Sequence, residues 1–189
     1  MGDVSDPDPE PAPDIDALLA QGLPALRTFV RLRLAPSLRA RESVEDLVQS
    51  TCREVLESAD RFVEGGEAGF RRWIYTLAQR KIADRWAYHR AQKRDIGRDE
   101  PGGDEALMDQ YGGLAGPGTQ VASLEELRAI EAAFDRLREE DREVISLVRV
   151  LGMSATDAGA CLGKNPGAVR TSLHRALARL AEELERESS

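Results

Sequence analysis

The sequence predicts an all-α protein of two small helical domains joined by a flexible linker, the C-terminal one a helix-turn-helix. Three observations predict it. Apolar residues recur at steps of three and four through residues 14–94 and again through 123–189. Between them, residues 95–122 hold seven glycines and two prolines among scattered acids, and a structureless stretch of that length is foreign to the inside of a compact domain. Finally, a short capped helix, a glycine-containing turn and a helix with a cationic outer face close the chain, the order of a helix-turn-helix.

The 189 residues are 41% hydrophobic, enough for cores of modest size. A net charge of −8 argues at first sight against a nucleic-acid partner, but the charge is segregated. Residues 1–26 carry six acids and no base, whereas residues 71–94 carry eight bases against Asp84 alone. The local field is basic where helices are predicted and acidic in the tail and linker. Cys52 and Cys161 stand far apart, outside any metal-ligand spacing, and read as buried thiols in a reducing cytosol. No metal or cofactor is implied. The start of the chain lacks the basic and apolar regions of a secretion signal, and no apolar run is long enough to span a membrane, so a cytoplasmic protein is expected.

Residues 1–13 are acidic and proline-rich with little to bury, a disordered tail. Helical pattern starts after Asp14 with Ile15, Leu18 and Leu19; Pro24 is expected to open a second segment through Leu26, Phe29, Val30, Leu32 and Leu34, which Pro36 ends. Ser43 begins a capping-box-like start, followed by the stripe Val44, Leu47, Val48, Cys52, Val55 and Leu56. A loop is expected over 61–69, and one long helix or two stacked ones from Phe70 to about Arg94. That segment has two apolar faces, Phe70, Trp73, Ile74 and Leu77 against Tyr75, Ala78, Ile82 and Trp86. Its second half leaves a strip of Arg80, Lys81, Arg85, Tyr88, His89, Arg90, Lys93 and Arg94. Cations interleaved with aromatic rings suit single-stranded nucleic acid, since the cations track phosphates while rings stack on unpaired bases.

In the second domain Ser123 caps a helix with the stripe Leu124, Leu127, Ile130, Ala133, Phe134 and Leu137, and Asp141 opens another with Val144, Ile145, Leu147, Val148 and Leu151. Ser154 then caps a short helix to Leu162, and Gly163-Lys164 make the turn. Asn165 is a strong N-cap and Pro166 fits the first helical position. Val169, Leu173, Leu177, Leu180 and Leu184 form the buried stripe of the last helix; Gly167, Ala168, Thr171 and Arg175 lie opposite, flanked by Arg170, His174 and Arg179. A small-residue tip with cationic flanks approaches a DNA groove closely while meeting phosphates.

These residues resemble the extracytoplasmic-function (ECF) class of bacterial RNA polymerase sigma factors. The resemblance lies in Ser43 to Gln49, in Phe70 to Ala78 with Asp84-Arg85, and in Asp141 to Ile145 with Gly167 to Leu177, in the family's order. It implies a non-enzymatic initiation factor whose partners are the polymerase core, through its β and β′ subunits, and promoter DNA, with an anti-sigma protein left open. The implied organisation is a tail over 1–13, a region 2-like domain over 14–94, a flexible acidic linker over 95–122 and a region 4-like helix-turn-helix domain over 123–189. Asp46, Leu47, Gln49 and Arg53 would face polymerase. Phe62 and its loop, with Arg80, Lys81, Arg85, Tyr88 and His89, would hold the opened minus-ten strand. Lys164, Ala168, Arg170, Thr171, Ser172, His174 and Arg175 would enter the major groove at the minus-thirty-five element. The chain departs from the family pattern at Arg80, Ser172 and Leu177 and over 155–160, and Ser172 takes a cation from the upstream DNA face.

The competing reading is a stand-alone helix-turn-helix regulator with an N-terminal dimerisation or sensing domain. An enzyme is disfavoured, because His89 and His174 lie in different domains and no phosphate-binding loop or nucleophile motif occurs. The division of labour expected is a basic front unit and a duplex-docking rear unit joined only by the acidic strap.

Overall fold

A computed structural model of the protein describes residues 14–62, 65–92 and 124–187. The acidic tail and the expected linker lie outside the described residues, which contain helices and turns and no strand.

Helix α1 spans Ile15–Arg33, and its N-cap Asp14 accepts from the Ala17 amide at 3.0 Å. Pro24 opens no second segment; it lies inside α1. The apolar stripe Leu19, Leu26, Phe29 and Val30 stays in helical phase across it, and all four are buried. The one backbone acceptor that Pro24 leaves without its usual donor belongs to Ala20, which is exposed, so water can serve it. Pro36 starts the short α2, Pro36–Arg39. Ser43 caps α3, Val44–Glu57, accepting from the Asp46 amide at 3.2 Å, which bears out the capping-box start. A 3₁₀ turn over Ala59–Arg61 follows. Helix α4 is continuous over Gly66–Gln92 and starts four residues before the expected Phe70. Left-handed backbone at Gly65 and Gly66, φ 113° and 51°, turns the chain into it.

The rear unit is α5, Leu124–Arg136, α6, Glu139–Ile145, α7, Ala155–Leu162, and α8, Pro166–Glu187. Helix α6 starts two residues before the expected Asp141, which is buried and works as an anchor rather than a cap. It runs on into a π-helical turn over Ser146–Val150, which periodicity did not foretell. There Ser146 donates its hydroxyl back to the Arg142 carbonyl at 2.7 Å, and the Leu151 amide bonds the Ser146 carbonyl at 2.9 Å.

In the front unit α1 packs on α3 and α4, and in the rear unit α8 packs on α5, α6 and α7. Phe29 meets Tyr75 edge-on, centroids 5.6 Å apart, in the front core; Phe134, Val144, Leu147 and Val169 are almost wholly inaccessible in the rear. The two units are also joined to each other, contrary to the expectation that only the strap connects them. One apolar cluster runs from α1 and α4 into α5, α6 and the π turn. Around it Arg31 pairs with Glu131, Arg39 with Asp135 and Arg33 with Glu139. Tyr75 donates to Glu143 at 2.9 Å, and Arg71 donates to the Gly152 carbonyl at 2.9 Å. The partners lie some hundred positions apart in sequence, as with Arg31 and Glu131, so local pattern carries no trace of them.

Candidate nucleic-acid interface

The geometry of α8 follows from its first turn. Asn165 Oδ1 accepts from the Ala168 amide at 2.8 Å, and Pro166 occupies the first helical position. Val169, Leu173 and Ala176 are buried; Leu177 and Leu180 pack partly against the same core. The opposite face leaves Arg170, Thr171, His174 and Arg175 exposed, with Lys164, Ala168 and Ser172 half-buried beside them. All seven residues expected at the upstream element are thus on the outer face or the turn leading into it. Ala176, wholly buried, belongs to the inner face as well and was not in the expected stripe.

The turn before α8 is held from three sides. Ser154 caps α7 by accepting from the Asp157 amide at 3.1 Å, and Gly163 ends α7 in the left-handed region at φ 63°. The Lys164 amide bonds the Gly159 carbonyl at 2.9 Å, and Gly159 has no room for a side chain there. Further along, Arg179 Nη1 reaches both carboxylate oxygens of Asp141 at 2.7 and 2.8 Å, fixing α8 to the start of α6. Arg179 is therefore a clamp, not the DNA-flanking cation expected of it.

In the front unit Asp46, Gln49 and Arg53 are exposed along α3, whereas Leu47 is buried and backs that face from below. The cationic strip of α4 is less open than its sequence suggests. Glu54 of α3 pairs with Arg80 and, at 2.9 Å, with Lys81; Glu42 lies 3.5 Å from Arg85 and 2.6 Å from His89 Nε2. Burial, then the charge of Arg80, lowers the pKa of Lys81 from that of a free lysine. Strand phosphates would therefore have to displace Glu42 and Glu54. Neither acid was foreseen, because each lies far along the chain from its cations. Tyr88 is 51% exposed and stands edge-on to His89, and Trp86 is also exposed. Trp86 therefore leaves the apolar face to which its spacing assigned it. Phe62 stacks on Trp73 at 5.3 Å and meets Phe70 edge-on at 5.9 Å, so it is packed at the foot of the strip. Between α3 and α4, Arg53, Glu54, Glu57, Arg61 and Lys81 line an open polar hollow.

Burial raises the thiol pKa of both Cys52 and Cys161. Among the described residues no three His, Cys, Asp or Glu side chains group to hold a metal, and no helix is long and apolar enough to cross a membrane.

The fold and these two faces define a helical, two-unit DNA-binding protein with a helix-turn-helix at its rear. Sigma-70 region 2 matches residues 18–93 and Sigma-70 region 4 matches residues 127–180. The ECF RNA polymerase sigma factor SigD of Mycobacterium tuberculosis is 30% identical over 161 residues, covering 85% of this chain and 72% of that one. ShbA of Streptomyces griseus, of the same class, is 33% identical over 165 residues, covering 86% and 83%. The sigma factor RpoE of Bartonella quintana, solved with the anti-sigma factor NepR, superposes with a TM-score of 0.65 at 26% identity, covering 91% of this chain and 97% of that one. The chain belongs to the ECF RNA polymerase sigma factors. The stand-alone regulator is not favoured, since the front half is itself a sigma-70 region.

Proposed function

We propose that this sigma factor divides promoter engagement between its two exposed cationic faces. Residues 14–94 act as the polymerase-binding and strand-opening domain, residues 95–122 as the flexible connector and residues 123–189 as the upstream reader. Asp46, Gln49 and Arg53, backed by Leu47, contact the core enzyme. Arg80, Lys81, Arg85, Tyr88 and His89 hold the minus-ten strand, with Phe62 bracing them through Trp73. Extruding a base costs a few kcal/mol, which stacking and phosphate contacts must offset. Lys164, Ala168, Arg170, Thr171, Ser172, His174 and Arg175 form the minus-thirty-five surface. Arg170 and Arg175 are the candidates for bidentate guanine contacts, each worth about 1–3 kcal/mol of discrimination. The factor is non-enzymatic and works in the cytoplasm, and an anti-sigma protein is a partner by analogy with the Bartonella complex.

The observation that carries this reading is the match to two sigma-70 regions in the family's order, each presenting a cationic helix face. Run-off transcription on fragments of the source genome, with purified polymerase core and with or without the protein, tests it. Discrete transcripts should need both components, and Arg175→Ala should weaken and broaden the choice of upstream sequence. Tight binding of a palindromic duplex by the protein alone, with no effect on transcription, would overturn it.

A further inference from the structure

We propose that the arrangement in which the front and rear units pack together is a closed resting state, latched by Arg31, Arg33 and Arg39 on Glu131, Glu139 and Asp135, which must open before both promoter elements are engaged. This rests on the sigma-factor reading above.

Size makes the case first. A compact body of this many described residues has a radius of gyration of about 15 Å, hence a breadth of about 40 Å. Elements centred ten and thirty-five base pairs upstream lie 25 base pairs apart, roughly 85 Å along duplex DNA at 3.4 Å per pair. The closed body cannot bridge them. The chain between Gln92 and Leu124 can, with a reach of about 100 Å if extended.

The construction of the contact makes the case second. Its two walls carry opposite charge: arginines from α1 and α2, carboxylates from α5 and α6. The latch is also incompletely satisfied. Arg33 Nε and Nη1, Asp135 Oδ1 and Arg142 Nε are buried there without a hydrogen-bond partner in the protein, although Glu139 bridges Arg33 and Arg142. Such atoms regain partners in water when the contact opens. The apolar seam beside them is loose as well, keeping a groove of about 230 Å³ between Leu18, Ala25, Phe70, Ile74, Val150 and Leu151. A contact that is charged, part-satisfied and loosely filled is built to separate, unlike the tight interior of either unit. None of the exposed candidate residues for polymerase or DNA is spent in the latch, so the core enzyme can grip both units while they are closed and gain contacts as they part. Its preference for the open form supplies the shift.

The experiment uses the full chain, wild type against Glu131→Gln/Asp135→Asn/Glu139→Gln and against the swap Arg31→Glu/Glu131→Arg. Small-angle X-ray scattering reads the closed state, circular dichroism the helix content, and run-off transcription with limiting protein the function. The triple variant should keep its helix content, expand by several ångströms in radius of gyration and gain at least about threefold in transcript, since affinity rises with the competent fraction. The swap, which restores an opposite-charge pair, should stay compact and match wild type. A triple variant that stays compact, or that expands without gaining transcript, overturns the closed state while wild-type transcription leaves the sigma reading intact. Absence of wild-type transcripts overturns the sigma reading itself, and the proposal with it. Should the triple variant lose its helices, an expanded or transcriptionally hyperactive swap overturns the latch and a compact swap of wild-type activity upholds it.

Discussion

Gly159→Ala and Gly22→Ala make the same chemical change inside two helices and should act with opposite sign. In α7, a Cβ on Gly159 would lie 2.4 Å from the Lys164 carbonyl oxygen and 3.6 Å from Val169 Cγ2. Backbone cannot rotate aside, so the turn into α8 must move by several tenths of an ångström while still tied to Gly159 by the Lys164 amide. Overpacking of this kind costs about 1–3 kcal/mol, whereas alanine in place of a mid-helix glycine gains about 0.5–1 kcal/mol. The balance at Gly159 is a loss of about 1–2 kcal/mol, which lowers the melting temperature by about 2–8 °C in a chain of this length. In α1, a Cβ on Gly22 meets only Phe70 Cε1 at 3.9 Å, an ordinary contact. There the propensity gain should stand alone and raise the melting temperature by about 1–4 °C. Thermal unfolding followed by circular dichroism decides it. A Gly159→Ala protein that melts at or above wild type would refute the steric account of the helix-turn-helix, and a loss at both positions would refute the use of propensity.

Two further substitutions probe the polar anchors. The Tyr75 phenol is pushed up to about 12, mainly by burial, with Glu143 adding to the rise and the Gln79 hydrogen bond opposing it. The folded protein therefore holds this proton more tightly than the unfolded chain, so its contribution is complete below about pH 10 and falls away as pH rises through 12. Tyr75→Phe should flatten the decline in urea midpoint between pH 9.5 and 11.5 relative to wild type, and parallel declines would refute the assignment. Asp141→Asn keeps shape but removes the charge that binds Arg179 and Arg138. Because the Arg179 side chain is 40% exposed and can rehydrate, the cost should be about 1–2 kcal/mol rather than the larger loss of a fully buried pair. It should appear as a lower urea midpoint at unchanged slope, and an unmoved midpoint would show the clamp to be idle.

The sequence by itself determined which segments are helices, where the caps Asp14, Ser43, Ser154 and Asn165 sit, and which side of α8 faces out, because each is a matter of residues within one or two turns of each other. The segregation of charge, and with it the nucleic-acid reading, was equally legible. Several features were decided only in three dimensions. Pro24 stays inside α1 because burial of Leu19 and Leu26 on either side holds the helix together, and the π turn at Ser146–Val150 follows how α6 ends against its neighbours. The cations of α4 are answered by Glu42 and Glu54, and the two units close on each other through Arg31, Arg33 and Arg39. Helical period records which face of a helix is apolar but not which helix will cover it. A charge likewise says what it attracts without saying where along the chain its partner lies. Those choices belong to packing, which brings residues a hundred positions apart within hydrogen-bonding distance.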